Sequence, residues 1–202
     1  MYKILTVERE YGSGGGDIAA ALASRLGWTL WDNAFTERIA RLANVDHRAV
    51  LNCDERAHGP LHRLAKAFWR GSYESQMRFD QPFDADVMVE FSKQVLYEEA
   101  AKGNCIFVGR GSPYFLRGRP DAFHVFLYAP RAEKLKRLEC RMTRQEAEEQ
   151  LERVDLERIE FVKHYFHADW PTRALYDLMI NTSAGNEAVI DLTLDAMKIC
   201  KR

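Results

Sequence analysis

Between Val7 and Ala20 the chain reads VEREYGSGGGDIAA, and Gly12, Gly14, Gly15 and Gly16 fall within five residues. Glycines let a backbone turn sharply and bring its N–H groups close to an anion. A helix starting at such a turn adds unpaired N–H donors and the positive end of its dipole, so this spacing suits the cradling of phosphate. Further along, Arg110 sits between Gly109 and Gly111, and Arg131, Lys134, Lys136, Arg137 and Arg141 form a cationic run.

These residues need elements to hold them. The apolar, partly β-branched run Ile4-Leu5-Thr6-Val7 predicts a strand entering the glycine turn. Ile18, Leu22 and Leu26 predict the apolar stripe of a helix leaving it. Trp28 to Trp31 reads as a second strand, and Asp32-Asn33 as the cap of a helix carrying Phe35, Ile39 and Leu42. From about 44 to 84 the periodicity is poor and Gly59-Pro60, Gly71 and Pro82 interrupt it, which predicts an insertion or an irregular helical excursion. Val87, Phe91 and Val95 mark a helix ending at Gly103, and Cys105 to Val108 a buried strand running into Gly109-Arg110. Phe123 to Tyr128 is the next strand. Pro130 opens a cation-rich helix, and Thr143 with Glu146 makes the S/T-x-x-E pattern that starts another. That long helix carries Ala147, Leu151, Val154, Ile159, Val162 and Phe166 and ends before Pro171. A strand over 177–180 and a helix bearing Val189, Leu192 and Met197 complete the chain. Alternating strands and helices predict a mainly parallel sheet covered on both faces, with ligands gathered beyond the carboxyl ends of the strands. The loops 8–16, 32–34 and 109–112 all follow strands.

With 202 residues and a net charge of −1, one domain with a proper core is expected over 1–202, and nothing global points to a nucleic-acid polymer or a membrane as partner. Cys53, Cys105, Cys140 and Cys200 form no CxxC pair and read as reduced, structural thiols, with Cys105 and Cys200 in apolar stretches that favour burial. The chain begins directly on a strand and contains no apolar run of membrane-spanning length, so a cytoplasmic location is expected. His164 and His167 lie one turn apart, but the histidines show no spacing typical of a metal site. Trp69, Tyr73 and Phe79 read as core, or else as the lining of a base pocket.

Two glycine signatures compete for the loop. The dinucleotide pattern GxGxxG needs a small residue where Asp17 stands, and that carboxylate would face a pyrophosphate, so the pattern is rejected. The mononucleotide pattern GxxxxGK[ST] keeps its loop shape but places Gly15 at the lysine and Asp17 near the hydroxyl. Four blocks then occur in order: Arg9-Glu10-Tyr11-Gly12-Ser13-Gly14-Gly15, Phe107-Val108-Gly109-Arg110, Asp155-Leu156-Glu157-Arg158, and Tyr176-Asp177-Leu178-Met179-Ile180-Asn181-Thr182-Ser183. Together they resemble the cytidylate kinase-like family from end to end.

The resemblance implies an α/β, three-layer P-loop kinase fold. Its expected parts are a five-stranded parallel sheet, a monophosphate-binding insertion at about 44–84 and an arginine-rich helical lid at about 131–167. It implies ATP and Mg²⁺ as cofactors, nucleotides as the small-molecule partners, and phosphoryl transfer to CMP or dCMP. It leaves the oligomeric state open. In that reading Gly12, Ser13, Gly14, Gly15, Gly16 and Asp17 hold the donor, and Asp17 and Ser13 help hold the metal. Asp32, Arg38, Gly109, Arg110 and Asp155 contact the acceptor, while Arg137, Arg141, Arg153 and Arg158 neutralise the transferring group. One departure stands out: authentic cytidylate kinases carry a lysine in the loop and the kinase-like family often has an arginine one place on, whereas here the two positions are Gly15 and Gly16. Another cation must substitute or activity is weak, and Arg9 and the lid arginines are the nearest candidates. Two alternatives therefore stand beside a nucleotide kinase. One is a nucleotide-binding protein with weak or no turnover, and the other is a kinase for a different small molecule. Blander roles also stay open: Arg38 as a solvated helix arginine, the 131–144 cations as an exposed face, and Asp155 with Arg158 as a simple i,i+3 pair.

Overall fold

The computed structural model describes residues 1–32, 38 and 85–200. Five strands, β1 (Ile4–Arg9), β2 (Thr29–Trp31), β3 (Cys105–Val108), β4 (Ala122–Tyr128) and β5 (Leu178–Asn181), form one sheet in the order β2-β3-β1-β4-β5. Every pairing is parallel, with Ile4 opposite Cys105 on one side and Ala122 on the other. The central strand is therefore β1, which delivers the glycine loop to the middle of the sheet's carboxyl edge. Six helices accompany the sheet among the described residues: α1 (Gly15–Leu26), α2 (Ala85–Lys102), α3 (Ser112–Phe115), α4 (Arg131–Leu138), α5 (Arg144–Phe166) and α6 (Asn186–Ile199).

The period-2 alternation of the strands decides which helix covers which face. Leu5, Val7, Ile106, Val108, Phe123, Val125 and Leu127 pack with Ile18 and Leu22 of α1 and Val189 and Ile190 of α6. Ile4, Cys105, Phe107 and Ala122 turn the other way, onto Val95, Leu96 and Ala100 of α2. Each fully buried aliphatic or aromatic side chain in these layers contributes roughly 1.5–3 kcal/mol relative to exposure. That fixes the sheet as a rigid base for the loops at its edge.

The expected strands and the expected restart at Thr143 are present. The Thr143 side chain accepts from the Glu146 N–H and Glu146 reaches back to the Thr143 N–H, so the capping box separates α4 from α5. Three expectations need correction. Ile159 and Leu192 are exposed rather than core, because they lie off the packed sides of α5 and α6, and Cys200 at the end of α6 is exposed as well. The short helix α3 follows Gly111 and carries Pro113, a combination that reads as loop in the sequence. Apart from Arg38, the expected helix beyond Asp32 and the expected 44–84 insertion, with Cys53, Trp69, Tyr73 and Phe79, lie outside the described residues.

Burial pushes the Cys105 thiol up to about 12, whereas Cys140 and Cys200 are exposed. A brief iodoacetamide pulse at pH 8 is expected to alkylate Cys140 and Cys200 in the folded protein and to spare Cys105 until denaturant is added. Peptide mass spectrometry reads the outcome, and early labelling of Cys105 would contradict the packing of β3 against α2.

Candidate active site

The glycine loop leaves β1 and enters α1 through Gly14, which is left-handed at φ 81° and N-caps the helix without any side-chain hydrogen bond. The first turn of α1 thus keeps N–H donors for an anion. A cleft of about 690 Å³ opens there, lined by Gly14, Gly15, Gly16, Asp17, Arg137 and Arg141 among others. Glycine-rich turn, uncapped helix end and facing guanidiniums make a cradle that fits a polyphosphate, and the Asp17 carboxylate on the first turn fits a divalent cation beside it.

Side chains from distant elements hold the loop in shape. Glu10 accepts from the Ala129 N–H at 3.3 Å and from Lys134 at 3.0 Å. The Tyr11 N–H donates to Asp155 at 2.8 Å, and Arg158 donates to the same carboxylate oxygen at 3.0 Å and to the Arg9 carbonyl at 2.7 Å. Burial raises the Asp155 carboxyl above its ordinary range, opposed by Arg158, the Tyr11 N–H and Lys134. The Ser13 carbonyl accepts from Arg137 at 2.7 Å and from the Thr182 hydroxyl at 2.7 Å, while Arg137 also donates to both oxygens of Thr182. The Thr182 hydroxyl thus ties the last strand's end to the loop.

On the far side of β1 the edge is built from buried charge. Gly109, Arg110 and Gly111 all have φ between 62° and 67°. A left-handed arginine between two left-handed glycines stores local strain of the kind found at ligand sites. Arg110 is buried, and desolvation pulls its guanidinium down to about 10 while Asp32 pulls the other way. Asp32 is also buried, and among the described residues its Oδ1 has no hydrogen-bond partner. Glu8 is buried with them and accepts from the Arg9 N–H at 3.2 Å. Burial pushes up the phenols of Tyr114 and Tyr176, and the Glu8 charge adds to it. Carboxylates, guanidiniums and phenols of this kind can bind a polar, partly anionic small molecule.

Residues 4–184 match the sequence model of the cytidylate kinase-like family. The chain belongs to that family. No curated protein matches the sequence significantly. Solved structures of similar fold include an uncharacterized protein from Eubacterium ventriosum, at 18% identity and TM-score 0.67, covering 96% of this chain and 98% of that one. Shikimate kinase from Acinetobacter baumannii, in complex with shikimate, aligns at 14% identity and TM-score 0.53 over 98% of this chain and 93% of that one. A sugar kinase from Janibacter sp. aligns at 15% identity and TM-score 0.51 over 99% and 96%. The fold of this cytidylate kinase-like chain is that of the P-loop kinases.

In this family member the residues singled out in the sequence divide into three groups. Gly12, Gly14, Gly15, Gly16, Asp17, Arg137, Arg141 and Arg158 line one cleft. Asp32, Gly109 and Arg110 sit together at the ends of β2 and β3, and Asp155 ties the loop to α5. Ser13, Arg153 and Arg38 are placed elsewhere. The Ser13 hydroxyl is buried and donates to the Glu10 carbonyl at 2.8 Å, which turns it under the loop and leaves Asp17 as the candidate metal ligand of the two. Arg153 lies on the exposed side of α5, bonded to Gln150 and close to Glu157. Arg38 pairs with Glu98 and Glu99 of α2. The roles of Glu8 and Lys134 were not foreseen, because a lone carboxylate and a lysine in a cationic run carry no spacing signal, while Thr182 belongs to the fourth sequence block, where its role was left open.

Proposed function

We propose that this protein transfers the γ-phosphoryl group of ATP to a small acceptor, with CMP or dCMP as the acceptors the family resemblance implies. The observation that carries the reading is the uncapped, glycine-delivered N-terminus of α1 opening into a cleft lined by arginines from α4 and α5. The backbone N–H groups of residues 14–16 would hold the donor phosphates, and Asp17 would share a Mg²⁺ with them. That ion supplies charge neutralisation to the phosphate oxygens when bound. Arg110 and Asp32 would orient the acceptor, and Arg137, Arg141 and Arg158 would offset charge on the group in transit. Closure of α4 and α5 would exclude water and suppress hydrolysis.

The test is transfer of label from radiolabelled ATP to a panel of nucleoside monophosphates and to pooled cell metabolites. Arg110→Ala is expected to lower kcat/KM for the acceptor by ~100-fold, the loss of about 2.7 kcal/mol that a charge-assisted contact supplies. Transfer to no member of either set would remove the kinase reading. A second reading, nucleotide binding with little turnover, is favoured by Gly15 and Gly16, which leave the loop without a cation of its own. Thermal stabilisation by ATP without any transfer would single it out. Transfer only to a non-nucleotide metabolite would identify a kinase for another acceptor.

A further inference from the structure

The structure shows what fills the space that a loop lysine would need. Arg9 leaves the end of β1 and runs beneath the start of α1. A Cβ built on Gly15 would lie 2.9 Å from Arg9 Cβ and 2.8 Å from Arg9 Cγ. Gly15 opens α1 and is not one of the positive-φ glycines, so its backbone does not require glycine. The passage of Arg9 does. Farther out, a Cβ built on Gly109 would fall inside the Arg9 guanidinium. The side chain is therefore channelled between two glycines of different strands' loops. Its charged end comes to rest between the phosphate loop and the Gly109-Arg110 turn, the boundary between the donor and acceptor sides.

Arg9 is 6% exposed and still lines the cleft. Its Nη1 lies 3.7 Å from Glu8 Oε1, which supplies a counter-charge from the acceptor side. Arg137, Arg158 and Lys134, the other cations beside the loop, already donate to the Ser13 carbonyl, the Arg9 carbonyl and the Glu10 carboxylate and so also brace the loop itself. Arg141 lies on the exposed rim.

We infer that Arg9 is the cation of this phosphate loop: its guanidinium, delivered from the strand instead of the helix, contacts the γ-phosphoryl group. The inference rests on the phosphoryl-transfer reading for its ligand. It makes the glycine at position 15 a requirement of the site, since a side chain there would displace the arginine. Restoring the lysine of the mononucleotide pattern with Gly15→Lys is therefore expected to impair the site.

Equilibrium binding tests this without an acceptor. ADP and β,γ-imido-ATP, each with Mg²⁺, are titrated into the wild type, Arg9→Gln, Arg9→Lys and Gly15→Ala, with Arg144→Gln on the exposed side of α5 as control. The wild type and Arg144→Gln are expected to bind the imido analogue about tenfold or more tightly than ADP, the preference a charge-assisted contact to the third phosphate gives. Arg9→Gln is expected to lose that preference while ADP affinity stays within about threefold, and Gly15→Ala is expected to lose the preference as well. Arg9→Lys keeps a buried charge, should one be needed for folding, and is expected to retain part of the preference. Equal affinities in the wild type would overturn the inference. So would equal losses for both nucleotides in Arg9→Gln, which would mark a structural brace, or no loss at all. An Arg9-dependent preference without transfer to any acceptor would keep the inference and remove the kinase reading. Transfer at the wild-type rate by Arg9→Gln would do the reverse.

Discussion

Gly109→Ala is expected to destabilise the protein by about 2–5 kcal/mol and to weaken binding of β,γ-imido-ATP at the same time. The left-handed backbone at φ 67° accounts for about 1–2 kcal/mol of this. The rest comes from forcing the Arg9 guanidinium out of the space a Cβ would take, an overpacking term of about 1–3 kcal/mol. Two other glycines separate these contributions. Gly27 has φ 65° with nothing within 4 Å of a built Cβ, so Gly27→Ala should cost only the backbone share, about 1–2 kcal/mol. Gly118 has open space and no positive φ, so Gly118→Ala should stay within about 0.5 kcal/mol. Urea midpoints at unchanged m-value measure all three. If Gly109→Ala and Gly27→Ala lose the same stability and both keep the wild-type preference for β,γ-imido-ATP over ADP, the packing of Arg9 over Gly109 has no energetic weight.

The second large effect is expected at Asp155. One carboxylate oxygen receives both the Tyr11 N–H and Arg158, and Lys134 lies 3.7 Å from the other. Asp155→Ala removes the anchor of the loop and leaves two cations facing each other without their shared counter-charge. Because the side chain is 18% exposed, water screens part of the loss, and about 2–3 kcal/mol is expected. Asp155→Asn keeps an oxygen for the Tyr11 N–H but no charge, and should lose about half as much. ADP affinity is expected to fall with stability along this series, since the same bond that holds α5 shapes the loop. A series that loses stability while binding ADP unchanged would show that α5 and the loop are not coupled through Asp155.

Both effects run through contacts between residues far apart in the chain, and this is where reading the sequence stops. The strands were legible because a run such as Cys105-Ile106-Phe107-Val108, apolar at every position, is buried on both faces of a parallel sheet. The restart at Thr143 was legible because a capping box is written in four adjacent residues. Likewise the turn at Gly12 to Gly16 is local chemistry, and its place between strand and helix required no knowledge of the rest of the fold.

Which side of a helix meets a partner is not local. Leu192 continues an apolar stripe in the sequence yet is exposed, because α6 packs through Val189 and Ile190. Arg153 and Arg158 share one helix, but five residues turn the second about 140° from the first, and only Arg158 faces the cleft. Arg38 and Ser13 had the right types for their expected roles and found other partners in Glu98, Glu99 and the Glu10 carbonyl. Periodicity alone assigns no direction to any of these side chains.

The glycine loop itself divides the same way. Its sequence determined a phosphate-sized turn at the head of a helix, since backbone freedom and helix-end donors follow from residue type. It also displayed the missing lysine, as an absence. Only the tertiary structure decided that Gly15 is small because Arg9 passes beneath it, and that Gly109, more than ninety residues away, is small for the same side chain. Close approach between two segments is a property of the sheet order that puts β1 beside β3, and no spacing along the chain encodes it.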